Sequence, residues 1–426
     1  MTFRFWWAAA AVCVLPLLHA CGGSGSDGGD GAVRLVNATD DYASLDLYAT
    51  DTLLSSGVAS TTASTYVSVG AATYTMRLKL NGSSTTSSSS SRAVGSDVSY
   101  TLVAYSTGET LKSAFLEDSE VAPTSGSAKL RVFNASTEAG TVDVYVTATD
   151  AALSSSSPTN LALGTERIGG YTEYGKGTYR IRVTGTGDKS DLRLDIPAID
   201  LADQQIATLV LTSTPGGVLV HGLLINQKDT VSAQRNGSAR VRLVASAASG
   251  GTVAGVANGT TLSAGLKSPA VSNYALVNAG ALSLDVKIDG SSVAAPAATL
   301  VAGSDTTLLV TGDATTPAVT LLQDDNRPAL SAANTKLRLV HGVSGLASPI
   351  TLTADYSAVA VDVAPNNAST PVSTPASTTF RLEASSPAVT GSLYLATDVT
   401  LQATRVYTLF MLGDTGTPVG VLRRDR

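Results

Sequence analysis

The sequence predicts an all-β protein that contains four tandem antiparallel β-sandwich domains. Three observations lead to this fold class. An alternating strand motif returns four times along the chain. Ser, Thr, Ala, Gly and Val abound while charged residues make up only 15%, and such small or β-branched residues suit the faces of a sheet. Finally, 426 residues are too many for one sandwich.

The chain begins with a stretch typical of a lipoprotein signal peptide. Arg4 is followed by an apolar run, Phe5 to Leu17, which is too short to span a membrane as a helix, and then by Leu18-His19-Ala20-Cys21. These residues resemble the lipobox of bacterial lipoproteins. The resemblance implies cleavage after residue 20 and lipidation of Cys21, with a further acyl chain on its amine. Two such signals anchor a protein stably, because each buried methylene contributes ~0.8 kcal/mol. The alternative is an ordinary secretory signal with a cysteine there by chance.

Residues 21–31 predict a flexible tether between the lipid and the first domain. Six of the ten residues from Gly22 to Gly31 are glycine, and a coil of that length reaches roughly 17 Å. Gly22 after the cysteine, where proteobacterial inner-membrane lipoproteins carry aspartate, favours the outer membrane in a Gram-negative cell. Cleavage also removes Cys13, so Cys21 would be the single remaining cysteine and no disulfide could form within the chain.

The repeated motif is an arginine flanked by aliphatic residues. In each copy we expect the aliphatic neighbours of the arginine to face the core and the arginine to face outward. The four copies read Val33-Arg34-Leu35-Val36, Leu130-Arg131-Val132-Phe133, Val241-Arg242-Leu243-Val244 and Leu337-Arg338-Leu339-Val340.

The spacing of the motifs sets the predicted domains, each with roughly seven short strands. The third repeat is divergent, because Val253-Ala254-Gly255-Val256 replaces the strand that carries Asp46 or Asp143 in the first two. The serine-rich run from Gly82 to Ser91 is expected to be a long mobile hairpin loop. The predicted segments are 1–20 (signal peptide), 21–31 (tether), 32–120, 127–229, 238–326 and 335–426 (sandwich repeats 1 to 4).

The repeat pattern resembles a known family. Its best-matched stretches are Arg131 to Ser136, Val142 to Val146 and Gly175 to Tyr179, and the first repeat matches through residues such as Asn37 and Tyr74. This pattern is similar to a bacterial and archaeal family of unknown function, numbered 4397, that occurs in tandem on secreted and surface-anchored proteins. The resemblance implies an immunoglobulin- or transthyretin-like sandwich, and it implies no reaction.

No set of residues predicts catalysis, a cofactor or a metal centre. His221 and His341 belong to different repeats, whereas a zinc site needs three or four convergent ligands. The chain lacks a G-x-S-x-G nucleophile elbow. The acid pairs Glu117-Asp118 and Asp324-Asp325 fall at strand ends, where solvated carboxylates are normal. We therefore expect a protein that is not an enzyme.

Two roles for aspartates stay open. Asp40, Asp41 and Asp46 lie near each other, and carboxylates on sandwich loops can bind calcium, although no EF-hand loop occurs. Asp46 and Asp143 recur at one strand position, where the simpler expectation is an exposed ion pair with the motif arginine of a neighbouring strand. Such a pair contributes only ~0–1 kcal/mol.

The charge pattern and the anchor together lead to a functional expectation. The formal charge is -6 and no basic cluster occurs, which argues against nucleic acid as a partner. We expect a lipid-anchored, non-enzymatic cell-envelope protein, facing the periplasm or the cell surface. Its partners would be the membrane and a protein or polysaccharide. The alternative is a surface lipoprotein that binds carbohydrate or another polymer through loop tips and exposed tyrosines, Tyr171 and Tyr174 in particular.

Overall fold

The computed structural model describes residues 29–108 and 110–426, so the signal peptide and Cys21 lie outside the described residues. The described chain forms four units, and each unit has two packed β-sheets. The predicted fold class is confirmed. In every unit we name the sheet that contains the arginine motif the pairing sheet, and the other sheet the outer sheet.

Units 1 and 2 occupy the first half of the chain. The strands of unit 1 are β1 Asp30–Asn37, β2 Ser44–Ala49, β3 Thr52–Ala59, β4 Val67–Gly70, β5 Ala72–Leu80, β6 Thr86–Val94, β7 Ser99–Thr107 and β8 Thr110–Glu117. Those of unit 2 are β9 Ser127–Asn134, β10 Val142–Thr147, β11 Asn160–Leu163, β12 Arg167–Ile168, β13 Thr172–Gly175, β14 Gly177–Gly185, β15 Asp188–Leu201, β16 Ile206–Thr212, β17 His221–Asn226 and β18 Val231–Gln234. A single 3₁₀ turn, Leu153–Ser155, precedes β11.

Units 3 and 4 occupy the second half. Unit 3 contains β19 Ser238–Ala247, a 3₁₀ turn at Ala248–Gly250, β20 Thr252–Ala257, β21 Thr260–Lys267, β22 Ala270–Val271, β23 Ala275–Asn278, β24 Gly280–Leu282, β25 Leu284–Ile288, β26 Ser291–Val293, β27 Ala298–Leu300, β28 Asp305–Gly312 and β29 Pro317–Asp324. Unit 4 contains β30 Asn334–His341, β31 Ile350–Ala354, β32 Ser357–Val363, β33 Val372–Pro375, β34 Ser377–Ser385, β35 Ser392–Leu401, β36 Val406–Asp414 and β37 Thr417–Arg424.

All four units share one topology. In unit 1 the pairing sheet has the order β4-β1-β7-β8 and the outer sheet the order β3-β2-β5-β6, and the other units follow the same scheme with small additions. The motif strand runs parallel to one partner in each unit, namely β1 with β7, β9 with β16, β19 with β28 and β30 with β36. The sheets are therefore antiparallel except for one parallel pair per sandwich.

Strand alternation builds the core of each unit as the sequence predicts. In β1, Val33 and Leu35 face the core between the two sheets of unit 1, while Arg34 and Val36 lie on the opposite face. The same division holds in the other three motif strands, and each unit has its own buried apolar cluster. β20 occupies the divergent stretch of the third repeat, which therefore keeps the common strand order.

The serine-rich segment corrects an expectation. Thr86 to Ser91 lie in β6, which pairs along its length with β5 at the edge of the outer sheet, so the predicted mobile loop is wrong. Backbone hydrogen bonds to β5 hold this strand, and small side chains suffice because much of this edge strand faces water. The tight turn between β5 and β6 spans residues 81–85.

The four units pack against each other in pairs. The pairing sheets of units 1 and 2 face each other across an apolar layer that includes Val36, Tyr105 and Phe133. Val244, Val340 and Phe410 form the corresponding layer between units 3 and 4. We call these assemblies pair 1–2 and pair 3–4.

The two pairs also touch each other. The loop between β16 and β17 crosses from unit 2 to unit 3, where the N–H of Gly216 donates to the carbonyl of Gly303 at 3.1 Å. The N–H of Asn326 donates to the carbonyl of Gly216, and Leu330 lies against Gly108 of unit 1. The four sandwiches consequently form one connected block.

Candidate functional site at the interfaces between units

The motif arginine is the polar centre of each interface between paired units. It lies on the face of the pairing sheet opposite the core, as predicted, but the neighbouring unit covers that face. Arg34, Arg242 and Arg338 are each only 2% exposed. The expectation of an outward arginine is right about its face and wrong about its exposure. A signal existed in the sequence, because the next residue on the same face is also apolar in every copy (Val36, Phe133, Val244 and Val340).

Pair 3–4 carries a reciprocal exchange of arginine and aspartate. Arg242 of unit 3 forms an ion pair with Asp425 of unit 4, and Arg338 of unit 4 forms one with Asp324 of unit 3. Each arginine also donates from Nε to a threonine hydroxyl on its own parallel neighbour strand, at 2.8 Å for Arg242 and 2.9 Å for Arg338. The interface thus has approximate twofold character, as expected when similar units pack through the same surface.

Burial and charge act against each other at Asp324. Burial by itself would raise the pKa of this carboxyl, but Arg338 and Arg242 outweigh that effect and hold its pKa below the usual value. The opposite charges favour the ionised form of the carboxylate. The network is therefore a fully charged cluster in the middle of an apolar layer, and it fixes how units 3 and 4 register against each other.

Pair 1–2 has the corresponding arginines and threonines, but neither motif arginine forms an ion pair with a carboxylate of the described residues. Arg34 donates from Nε to Thr101 at 2.9 Å and from Nη2 to the carbonyl of Asn226 in unit 2 at 2.9 Å. Thr101 in turn donates to Asp118 at 2.6 Å. Arg131, the counterpart in unit 2, is half-buried and bonds to Thr208 at 3.0 Å, and it has no ion-pair partner among the described residues.

A tyrosine ring lies against the motif arginine in three of the four units. Tyr66 covers Arg34 at 4.8 Å, Tyr171 covers Arg131 at 4.4 Å and Tyr274 covers Arg242 at 4.5 Å from guanidinium carbon to ring centroid. Such cation–π contacts stabilise by about 0.5–2 kcal/mol, the higher values applying where water is excluded. These rings help to exclude water from the interface, and no pattern in the sequence pairs them with particular arginines.

The predicted binding tyrosines do not form one platform. Tyr171 lies on the face occupied by Arg131, and burial raises its pKa. Tyr174 is three residues further along the extended chain, packs on the core of unit 2 and meets Tyr179 edge-on at 5.5 Å. Residues three apart in a strand point to opposite faces, so the structure does not bring the two rings together. A binding role for them stays a prediction.

The recurring aspartates have a different role from the predicted one. Asp46 accepts hydrogen bonds from the N–H of Gly57 at 2.7 Å and from Asn81 at 2.9 Å. Asp143 accepts from the N–H groups of Ala162 at 2.7 Å and Gly187 at 2.9 Å. Both are buried and accept hydrogen bonds from strand and turn residues of the outer sheet, so the expected exposed pair with a motif arginine is wrong.

One acid of each strand-end pair is not solvated, whereas Glu117 is exposed as expected. Asp118 and Asp324 are both buried, and each accepts a threonine hydroxyl at 2.6 Å within the interface network. Their burial was missed because their partners are distant in the sequence. Asp40, one of the candidate calcium ligands, instead accepts from Arg235 at 3.0 Å. Across residues 29–108 and 110–426 no group of three or more histidine, cysteine, aspartate or glutamate side chains is arranged to hold a metal ion.

The two histidines have different surroundings. His341 ends β30 and contacts the carbonyl of Ser348 at 3.1 Å, which confirms the expectation that it satisfies backbone groups. His221 begins β17 and lies with Nε2 3.5 Å from the carboxylate of Asp40, across the contact between units 1 and 2. Burial lowers the pKa of both imidazoles.

The family model for the domain of unknown function DUF4397 matches residues 31–145 and 244–346, together about half of the chain. The chain belongs to this family. In this DUF4397 protein the first match runs from β1 through unit 1 into β10 of unit 2. The second begins within β19, covers the rest of unit 3 and ends just after β30 of unit 4. The sheets show the same topology in units 2 and 4, where the match does not extend to the end of the unit.

Similar solved structures give only weak likenesses. A candidate cell adhesion protein from Bacteroides uniformis aligns with 13% identity over 48% of this chain and 99% of its own, at a TM-score of 0.21. The pneumococcal glycogen-degrading virulence factor SpuA aligns with 7% identity over 62% and 37% of the two chains, at 0.15. The TIE protein of Bacillus anthracis aligns with 9% identity over 91% and 69%, also at 0.15. None of the curated proteins matches the sequence.

Proposed function

We propose that this DUF4397 protein is a lipid-anchored, non-enzymatic component of the cell envelope that acts as a structural or interaction module. The observation that carries the proposal is the pair of buried interfaces that join the sandwiches. Each consists of an apolar layer with a charged arginine network at its centre. Such an interface holds its two units in a fixed relation, which suits a protein that displays surfaces rather than one that closes on a substrate.

The outer sheets are the surfaces that this scaffold would display. The pairing sheets are covered by their partners, whereas the outer sheets face away from the interfaces and carry several exposed apolar side chains. Single exposed apolar residues are common in soluble proteins, but here they share the surface that remains for contacts with other molecules. Leu53, Leu80, Leu161, Val361 and Leu395 are 42–71% exposed on outer-sheet strands.

The anchor is supported by the sequence of the first 31 residues. The apolar run, the lipobox-like residues before Cys21 and the glycine-rich tether would place the block at the membrane surface, in the outer membrane of a Gram-negative cell. Among the described residues no helix is long and apolar enough to cross a membrane. Attachment through Cys21 is therefore the part of the proposal that decides where the module works.

Fractionation of cells that express Cys21→Ala tests this anchor. We expect the wild-type chain to sediment with membranes and to incorporate a labelled fatty acid, and the variant to incorporate none. Cys13→Ala is the matched control, because it removes the other cysteine of the first 31 residues and should leave labelling unchanged. Equal labelling of wild type and Cys21→Ala would refute the anchor.

A further inference from the structure

A cleft of about 430 Å³ opens where units 2, 3 and 4 meet. Unit 2 contributes Gly140 and Arg193, unit 3 contributes Arg240, and unit 4 contributes Arg405, while Arg426 follows β37. Four arginines therefore line one cavity, although no basic cluster is visible in the sequence. The tertiary structure assembles them from segments that are spread over more than 200 residues of the chain.

The carboxylates around this cleft already have cationic partners. Asp191 pairs with Arg193 at 2.5 Å, and Asp305 forms a two-point ion pair with Arg240. Asp425 also lines the cleft, but its carboxylate is bound by Arg242 in the interface of pair 3–4. None of these three acids forms an ion pair with the remaining arginines of the cleft.

Of the four arginines that line the cleft, Arg405 and Arg426 form no ion pair with a carboxylate of the described residues. Arg405 is exposed at the edge of the cleft. Arg426 is partly buried and donates from Nη1 to the carbonyl of Gly217. Burial, followed by repulsion from Arg193, lowers its pKa to about 10, although Glu138 attracts it. The carboxylate of Glu138 is itself held by Ser213 and by the N–H of Gly108.

We propose that this cleft binds an oxyanion, a phosphate or carboxylate group carried by a molecule of roughly monosaccharide size. Guanidinium groups present parallel N–H donors that match both kinds of oxyanion. An anion between Arg405 and Arg426 would supply the negative charge that the neighbouring aspartates, engaged elsewhere, do not. The volume falls within the usual range for small-molecule pockets, which is roughly 300–1,000 Å³.

Calorimetric titration of the full-length chain in detergent tests the proposal. The probes are inorganic phosphate, pyrophosphate and glucuronate at constant ionic strength, with glucose as the uncharged control. The variants are Arg405→Gln, Arg426→Gln and the double variant. Arg424→Gln is the matched control, because it removes the same charge from an exposed residue that does not line the cleft. Each purified variant is checked by circular dichroism.

We expect at least one of the three anions to bind and glucose not to bind. Arg405→Gln or Arg426→Gln should weaken binding at least roughly tenfold, since a charge-assisted hydrogen bond contributes about that factor or more. Arg424→Gln should bind like wild type. A response to phosphate and pyrophosphate alone would assign a phosphate-bearing ligand, and a response to glucuronate alone a carboxylate-bearing one. Absence of binding by all three anions, or unchanged binding by Arg405→Gln, would overturn the proposal. Arg405 is exposed, so its replacement does not endanger folding.

Discussion

The charged network of pair 3–4 predicts that Arg242→Met lowers the stability of the protein. Arg242 is the cation that forms an ion pair with Asp425, and both side chains are almost completely buried. Asp324, which Arg242 approaches at 3.4 Å, still has Arg338 and stays compensated. The substitution therefore leaves one buried carboxylate, that of Asp425, without its cation.

The magnitude follows from that single orphaned charge. Removing one partner of a buried ion pair costs about 3–5 kcal/mol, because the remaining charge stays out of water. For a cooperative unit of the size of pair 3–4, each kcal/mol shifts the melting temperature by about 2–4 °C, so we expect a decrease of roughly 6–20 °C. Replacing Asp425 with Leu in the same chain should recover much of the loss, because no buried charge then lacks a partner.

Arg131→Met is the matched control for this experiment. Arg131 occupies the same motif position in unit 2, but it is half-buried and bonds only to the hydroxyl of Thr208 while lying on Tyr171. Its loss leaves no buried carboxylate, so we expect a decrease of roughly 1 kcal/mol. Differential scanning calorimetry of the purified full-length variants measures both. Equal effects of Arg242→Met and Arg131→Met would refute the reasoning that the reciprocal ion pairs hold pair 3–4 together.

Three further predictions concern units 1 and 2. Asp143→Ala removes the acceptor of two backbone N–H groups and should lower the free energy of unfolding by about 1–3 kcal/mol in urea titrations, whereas the exposed Asp150→Ala should change it little. Burial lowers the pKa of His221, so as the pH falls the unfolded chain takes up a proton on this imidazole before the folded chain does, and the free energy of unfolding should fall below about pH 6.5. His221→Gln should flatten the dependence of stability on pH in this range. An unchanged slope would contradict the role assigned to His221. Finally, hydrogen exchange should show protected amides within Thr86–Val94, and loop-like exchange throughout that segment would contradict the assignment of β6.

Local regularities were readable from the sequence because they depend on neighbours in the chain. The alternation around Arg34 and its three counterparts predicts which side chains enter each core, and the structure confirms it. The repeat predicts four units, and the third repeat keeps the common strand as β20 although it lacks the aspartate of the first two. The low complexity of the serine-rich run predicts a loop, but composition does not determine whether a backbone segment finds a pairing strand.

The candidate site could not be predicted in the same way. The sequence predicts Asp118 and Asp324 to be exposed, because no adjacent residue indicates the threonine, tyrosine and arginine groups that surround them. The sequence suggests that Tyr171 and Tyr174 could act together, because only three residues separate them. In an extended strand, side chains three residues apart lie on opposite faces.

The β-sandwich units, their number and the residues that fill each core follow from the sequence, because strand alternation is encoded within a few residues. The covering of each arginine face by a second unit depends on tertiary packing, since apolar burial is not directional and any apolar surface can cover another. Tertiary packing also decided that Arg242 meets Asp425 across 183 residues of chain and that four arginines surround one cleft. Contacts of that kind depend on how whole domains pack, which no local pattern records.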